Sequence, residues 1–376
     1  MKTGRSPYTG PYFRGFGPPD DHGVAASLTP RLQWNYSLPN QHLATRTNFA
    51  NVPVITSDGI AIYFAVQRPN TVGHGLSYLI ALDISTGTKV WSQFIGNKGR
   101  APPGTREFPC ALTLGAVCCA GTDGIPALTA DGTLLYVHAV NGTLVSADPT
   151  TGAVFWNVPV EKYVETLTIE ERPGAPARVW MHGQHFLVAV TADTGAEVWR
   201  KAVPAAYGYA SPTVIGDTVF ITSGWSNDGK RAFAFSMYVS VRSQSAGTLL
   251  GPNCVPICVC SSQQSQLWNY TCPGPIETTL ATDGSGAVYF ACDVDSVDGG
   301  QVVALDADTG EELWVFAMSS FAVSSPTLSC DGKIVYAGCD QSYDHHLRKT
   351  LPAHFYALST SDGTVCSVVC VGLCVV

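Results

Sequence analysis

The strongest constraint on this chain is a phrase that returns along it with fixed internal spacing. It reads Ala81-Leu-Asp83-Ile-Ser-Thr-Gly87-Thr-Lys-Val-Trp91, then Ala147-Asp148-Pro-Thr-Thr-Gly152-Ala-Val-Phe-Trp156. Further copies are Thr191-Ala-Asp-Thr-Gly195-Ala-Glu-Val-Trp199 and Ala304-Leu-Asp306-Ala-Asp-Thr-Gly310-Glu-Glu-Leu-Trp314. In each, Gly lies four positions after the Asp (or Thr191), and Trp four positions after Gly. A second phrase precedes the first, as in Pro53-Val-Ile-Thr-Ser-Asp58-Gly59-Ile-Ala-Ile-Tyr63 and Pro126-Ala-Leu-Thr-Ala-Asp131-Gly132-Thr-Leu-Leu-Tyr136. It returns from Pro212 to Phe220 and from Pro326 to Tyr336, with a looser copy from Ile276 to Phe290. Self-similarity at a period of tens of residues implies stacked units that bury their apolar faces on one another.

Each unit encodes four short strands. Asp-Gly between two apolar runs is a strong hairpin signal, because Gly accepts positive φ and Asp tolerates it. The Asp-x-x-Thr-Gly phrase makes a second turn for the same reason. The runs between turns are rich in Val, Ile, Leu, Tyr and Phe, which suit a pleated surface. Helical periodicity of any length is absent. The fold class is therefore all-β. Trp34, Trp91, Trp156, Trp199, Trp268 and Trp314 lie roughly 40 to 70 residues apart, which matches propeller blades of four strands with insertions. The insertions are 97–124, 240–264 and 341–353. Residues 1–25, where Gly, Pro and Asp cluster, form a flexible N-terminal segment, and 26–376 form the propeller.

The repeated Ala-x-Asp-x-x-Thr-Gly-x-x-x-Trp phrase resembles the PQQ-like β-propeller repeat of quinoprotein alcohol dehydrogenases and BamB-like propellers. Tyr12-Phe-Arg14-Gly15, followed by Leu-Thr-Pro-Arg-Leu-Gln-Trp34, is similar to the lead-in and first outer strand of such propellers. The resemblance covers residues 11–370. It implies that the Trp of each blade docks on the neighbouring blade, a role that falls on Trp34, Trp91, Trp156, Trp199, Trp268 and Trp314. Two departures stand out. Trp268 lacks a Thr-Gly turn before it, and the last unit puts Ser367 in the Trp position. Six repeat units plus an orphan strand around Trp34 allow six or seven blades, or a truncated larger ring.

Composition narrows the function. Charged residues are 13% and hydrophobic residues 45%, enough for a core, and the net charge of −8 argues against nucleic-acid binding. No apolar run is long enough for a membrane-spanning helix. Met1-Lys-Thr-Gly-Arg-Ser-Pro lacks the apolar core of a signal peptide, although relatives in the family are mostly exported, so the compartment stays open. Three Asn-x-Ser/Thr triplets, at Asn35, Asn141 and Asn269, carry little weight. The thirteen cysteines cannot all pair within one chain, and a small buried strand residue is the commonest state of a free Cys.

Cys118-Cys119 is the sharpest chemical candidate. Quinoprotein alcohol dehydrogenases carry a vicinal disulfide beside the quinone, so the resemblance makes Cys118 and Cys119 the candidate cofactor residues. The calcium ligands and catalytic Asp of that family have no matching motif here, so no catalytic residue and no metal ligand are assigned. Cys254-x3-Cys258-x-Cys260, with Cys272, is too irregular for structural zinc and fits a Cys-rich or disulfide-bonded loop. Asp293-Val-Asp295-Ser-Val-Asp298-Gly299 puts its third carboxylate one place late for a calcium loop and fits a solvated turn. His182 and His185 fall on opposite faces of a continuous strand, and His345-His346 sit in an insertion. The expected function is a non-catalytic binding or scaffold propeller, holding a protein or small ligand on one face and needing no cofactor. The alternative is a PQQ- and Ca²⁺-dependent alcohol or sugar oxidoreductase.

Overall fold

Turn chemistry sets the strands. Asp306 Oδ1 accepts the backbone N–H of Asp308 at 3.0 Å and of Thr309 at 2.8 Å, so the side chain closes the turn. These bonds, that from the Thr309 N–H foremost, hold the carboxyl below its ordinary range. Gly310 then takes φ +74°, a left-handed conformation that L side chains rarely adopt. Asp83 closes its turn alike, with Ser85 and Thr86.

The computed structural model describes residues 33–36, 45–49, 54–69, 76–97, 126–138, 142–161, 164, 166–204, 210–223, 230–239, 264–282, 284, 286–294, 299–322, 324–339, 343–344, 349–350 and 353–371. Among these there are strands and no helix. Six antiparallel sheets follow in chain order. The first holds β1 (Thr45–Phe49), β2 (Val54–Ile55), β3 (Ile60–Pro69), β4 (Leu76–Asp83) and β5 (Lys89–Asn97), with β1 and β2 both paired to β3. The second holds β6 (Ala127–Leu128), β7 (Leu134–His138), β8 (Thr143–Ala147) and β9 (Val154–Pro159). The third holds β10 (Leu167–Glu170), β11 (Arg178–His182), β12 (Phe186–Thr191) and β13 (Glu197–Ala202). The fourth holds β14 (Thr213–Ile215), β15 (Thr218–Thr222), β16 (Arg231–Val239) and β17 (Gln264–Thr271). The fifth holds β18 (Ala281–Thr282), β19 (Ala287–Val294), β20 (Gly299–Asp306) and β21 (Glu312–Met318). In the sixth, β22 (Thr327–Leu328) and β23 (Ile334–Gly338) are followed by a small hairpin, β24 (Tyr343–Asp344) and β25 (Lys349–Thr350). The sheet is completed by β26 (Ala353–Ser359) and β27 (Val365–Val371).

This is a β-propeller of six described blades, and the core lies between them. Each strand alternates its side chains between the two faces of its sheet, so a middle blade buries both. In the fifth sheet Val288, Phe290, Val303 and Leu305 pack on the fourth. Tyr289, Ala291, Val302 and Ala304, one step out of phase, pack on the sixth. Equivalent clusters join the first sheet to the second, the second to the third and the third to the fourth.

The tryptophans stand at these junctions. The indole N–H of Trp91 donates to Pro149 O at 2.8 Å in the next sheet, that of Trp268 to Ala307 O at 2.8 Å, and that of Trp314 to Thr360 O at 3.0 Å. Trp34, ahead of the first sheet, donates to Ile84 O at 2.7 Å and packs on Ile80 and Leu82. The rings lie flat against the turn glycines. A Cβ on Gly310 would come within 2.6 Å of the Trp268 ring, and one on Gly195 within 2.8 Å of Trp156. The turn thus needs Gly twice over, for its φ and for the ring that covers it.

Trp199 lacks this bond, and no indole bond from Trp156 occurs among the described residues. The Trp199 ring is buried, 5.2 Å from that of Trp180, yet its Nε1 has no hydrogen-bond partner among the described residues. In the sequence of the next sheet, the 240–264 insertion stands between β16 and β17 in place of an Asp-x-x-Thr-Gly phrase. That insertion, like 97–124 and residues 1–25, falls largely outside the described residues.

Truncating Trp314 to Ala should cost about 3–5 kcal/mol in chemical denaturation, the range for a buried aromatic. Trp314→Phe and Trp199→Phe both lose part of a buried ring, and Trp314→Phe, which also loses a bond, should cost about 1 kcal/mol more than Trp199→Phe. Equal losses for the two Phe variants would show that the indole bond adds nothing.

Candidate functional site

The outer strands carry a recurrent surface. In every sheet the ladder slips by one residue just before the Trp position. Ala81 pairs with Trp91 but Leu82 with Lys89, leaving Val90 as an extra residue. The same slip leaves out Phe155, Val198, Leu267, Leu313 and, in the sixth sheet, Cys366. Such a bulge bends the strand and re-aims the neighbouring side chain. Here it seats the Trp on the following sheet and turns the preceding residue out. Val90, Phe155, Val198, Leu267 and Leu313 are accordingly 44–60% exposed. Five large apolar side chains therefore ring the outside of the propeller at one repeated position. The sequence shows them as the residue before each Trp, a signal that the strand reading passes over.

The inner strands are joined by hydroxyls. Thr168 Oγ1 donates to Pro212 O, and Thr213 Oγ1 to Leu280 O at 2.7 Å. Ser211 N–H donates to Thr279 Oγ1 at 3.0 Å and Thr279 N–H to Ser325 Oγ at 3.0 Å. These bonds link the third, fourth, fifth and sixth sheets in series. Other polar atoms at this end have no partner among the described residues: Thr166 Oγ1, Ser211 Oγ and both ring nitrogens of His182. Burial pushes the His182 imidazole down to about 4, so the ring is neutral at physiological pH.

A second polar cluster joins the fifth and sixth sheets. Ser319 N–H donates to Tyr356 Oη at 3.1 Å, and Tyr356 Oη–H donates to Ser319 Oγ at 3.0 Å. Ser319 Oγ lies 2.6 Å from His354 Nδ1 and 3.5 Å from Cys339 Sγ. Ser319 Oγ has one hydrogen and two lone pairs, so after accepting from Tyr356 it can either donate to Nδ1 or accept from it, according to the His354 tautomer. A hydroxyl on an imidazole is the pairing used by nucleophile and base. No hydrogen bond orients Nε2 among the described residues, and the Tyr356 hydroxyl already occupies the serine. The cluster fastens the chain after β21 to the sixth sheet.

The disulfide Cys272–Cys292, with Cα atoms 6.7 Å apart, ties the end of the fourth sheet to β19 of the fifth. Cys272 is thus bonded, not a thiolate available to zinc with Cys254, Cys258 and Cys260, which lie outside the described residues. A network around Glu170 joins the third sheet to the fourth. Its carboxylate accepts Trp180 Nε1 at 2.6 Å and pairs with Arg172, which also bonds Asp217 at 2.9 Å.

The remaining sequence candidates are not assembled into a site. Cys118 and Cys119 lie outside the described residues, as do Asp295, Asp298, His345 and His346. His182 is buried at the end of β11, and His185 is exposed beyond a turn, so the strand that would relate them is interrupted. Asp293 Oδ1 accepts Ala322 N–H at 2.9 Å. No cluster of His, Cys, Asp and Glu able to hold a metal occurs among the described residues.

His182 makes a pH prediction. Its folded pKa is below the ordinary 6.5, so the unfolded chain binds this proton first and stability falls as pH drops from 6.5 towards 4. The loss is up to about 3 kcal/mol, complete below 4. In denaturation at stepped pH, His182→Leu should lose this part of the acid slope and keep wild-type stability at pH 7. An unchanged slope would mean that the ring is protonated in the fold.

Comparison with known proteins now places the chain. The sequence model of the family described as outer membrane protein assembly factor BamB matches residues 75–173 and 256–366, more than half of the chain. Tetrathionate hydrolase of Acidithiobacillus ferrooxidans is 21% identical over 198 residues, 52% of this chain and 35% of that protein. The chain thus spans about a third of the length of this curated relative. Among solved structures, BamB from Moraxella catarrhalis has a TM-score of 0.49 at 15% identity, covering 85% of this chain and 87% of its own. A quinohemoprotein alcohol dehydrogenase from Pseudomonas putida has a TM-score of 0.43 at 13% identity, covering 76% and 55%. The repeat, the blades built from it and the extent of the family match together show that this chain belongs to the PQQ-like repeat propeller family to which BamB gives its description.

Proposed function

We propose that this protein is a non-catalytic binding propeller that engages a protein partner through its rim. The observation that carries this reading is the ring of Val90, Phe155, Val198, Leu267 and Leu313, each exposed immediately before a Trp position. Scattered apolar residues on a surface need no explanation, but a repeated set at one structural position is an interaction surface in waiting. The bulge makes it part of the repeat, so neighbouring blades offer similar contacts side by side. The insertions add to it. Residues 97–124 and 341–353 join described strands at the end of the ring where the inner strands begin, and 240–264 at the opposite end. The family description, an assembly factor, agrees with such a role.

The enzymatic alternative, with PQQ and Ca²⁺ near Cys118 and Cys119, differs in a measurable way. A ligand present at a hundred times its dissociation constant stabilises the folded state by about 2.7 kcal/mol. Thermal unfolding of the purified protein should not shift on titration with PQQ plus Ca²⁺, and saturable stabilisation would contradict the proposal. Phe155→Asp combined with Leu313→Asp should weaken partner capture at least tenfold with the melting temperature nearly unchanged. Capture that ignores both substitutions would remove the rim from the binding surface.

A further inference from the structure

The sixth sheet differs from the five before it. In the fifth, Tyr289 pairs with Ala304 and Ala291 with Val302, and all four are buried under the sixth. The equivalent pairs in the sixth are Tyr336 with Ala357 and Gly338 with Phe355. Tyr336 is only half-buried, and Phe355 is 43% exposed. Where the earlier outer strands set a Trp on the next sheet, β27 has Ser367, which is exposed. Gly338 and Ala357 on this side are buried, and among the described residues no strand pairs with the outer edge of β27.

That edge has an unusual composition. It reads Val365-Cys-Ser-Val-Val-Cys-Val371, with no charge, Pro or Gly. The other outer strands carry residues that discourage pairing with another chain. Lys89 stands in β5, Glu197, Arg200 and Lys201 in β13, and Glu312 in β21, while β9 ends on Pro159 and β17 carries Gln264, Gln266 and Asn269. Charges and prolines are the usual guards of a free edge, and an exposed apolar edge without them is a template for another strand. Val365 and Val368 are 47% and 45% exposed.

We infer that β27 pairs antiparallel with β27 of a second copy of this chain across a two-fold axis. The pairing continues the ladder β22–β23–β26–β27 into one sheet shared by both copies. A two-fold contact sets the same patch against itself, so a strand with no charge meets no like charge at its own copy. The bulge at Cys366 leaves Ser367–Val371 as the regular stretch, which puts the axis at Val369. A single strand pair falls below the roughly 1,200 Å² of a standard interface, so the dimer forms as concentration rises rather than at all concentrations. This inference does not rest on the rim proposal, since β27 can pair whether or not the rim holds a partner.

The purified chain should show, in size-exclusion chromatography with light scattering, a mass that climbs with concentration from 39.8 kDa towards twice that value. Val368→Lys sets like charges beside the axis and should raise the midpoint concentration at least tenfold, with an unchanged near-ultraviolet spectrum. Ser367→Lys makes the same test if Val368→Lys fails to fold. A third variant reads the register. Val369→Cys, made together with Cys366→Ser and Cys370→Ser, places one thiol of each copy on the axis. Treatment with diamide then joins the two sulfurs, and the two thiols give up two protons and two electrons to diamide, which becomes the hydrazine. A covalent dimer whose linked peptide joins position 369 to itself supports the inference. A wild-type chain that stays monomeric throughout overturns it. So does a dimer insensitive to both Lys variants, or one cross-linked only elsewhere.

Discussion

The structure depends on one contact made again and again: an indole laid on the glycine of the next blade's turn, with its N–H on a carbonyl of the same turn. Trp91, Trp268 and Trp314 make it in full, and Trp34 makes it ahead of the first sheet. A four-stranded sheet with two apolar faces has no stable existence alone, because each face must be covered. The apolar clusters between sheets supply the area, and the indole fixes how one sheet is set on the next. It does so by combining a large apolar surface with a single directional bond.

The rest of the repeat can be understood as the means of placing that ring. The Asp of the turn accepts two backbone N–H groups and frees Gly to sit under the indole. The bulge before the Trp turns its side chain towards the following sheet, and the residue it displaces faces outward. Packing and surface are thus two results of one local irregularity. In the sequence of the fourth sheet the 240–264 insertion stands where the turn phrase would be, and Trp199 of the third keeps its burial but has no bond. The disulfide and the Glu170–Arg172–Asp217 network lie on the two sides of the fourth sheet, tying it to its neighbours by other means.

Much of this was legible in the chain. The turn phrases give the strands because Asp-Gly and Asp-x-x-Thr-Gly have few other conformations open to them. The apolar runs give the sheets, and the family resemblance carried by those residues gives the propeller. What could not be read depends on contacts between distant residues. Cys272 and Cys292 look like two of thirteen cysteines until β19 brings one beside the end of β17. Ser319, His354 and Tyr356 belong to no motif, since a loop and a strand of different blades bring them together. His182 looks like a candidate ligand in the sequence, and only its burial shows it to be a neutral core residue. The outward turn of Phe155 and Leu313 was hidden for a simpler reason. Strict alternation along a strand gives no warning of a bulge, and the bulge decides which way they point.

The contact between indole and glycine is most directly tested by a double-mutant cycle on Trp268 and Gly310. Trp268→Phe, Gly310→Ala and the pair would be compared by chemical denaturation. If the ring and the turn stabilise one another, the second substitution costs less once the first is present, and the coupling energy is about 1–3 kcal/mol. Additive losses, with a coupling energy near zero, would mean that the indole and the turn are neighbours that contribute separately, and the account of how the blades are held would fail.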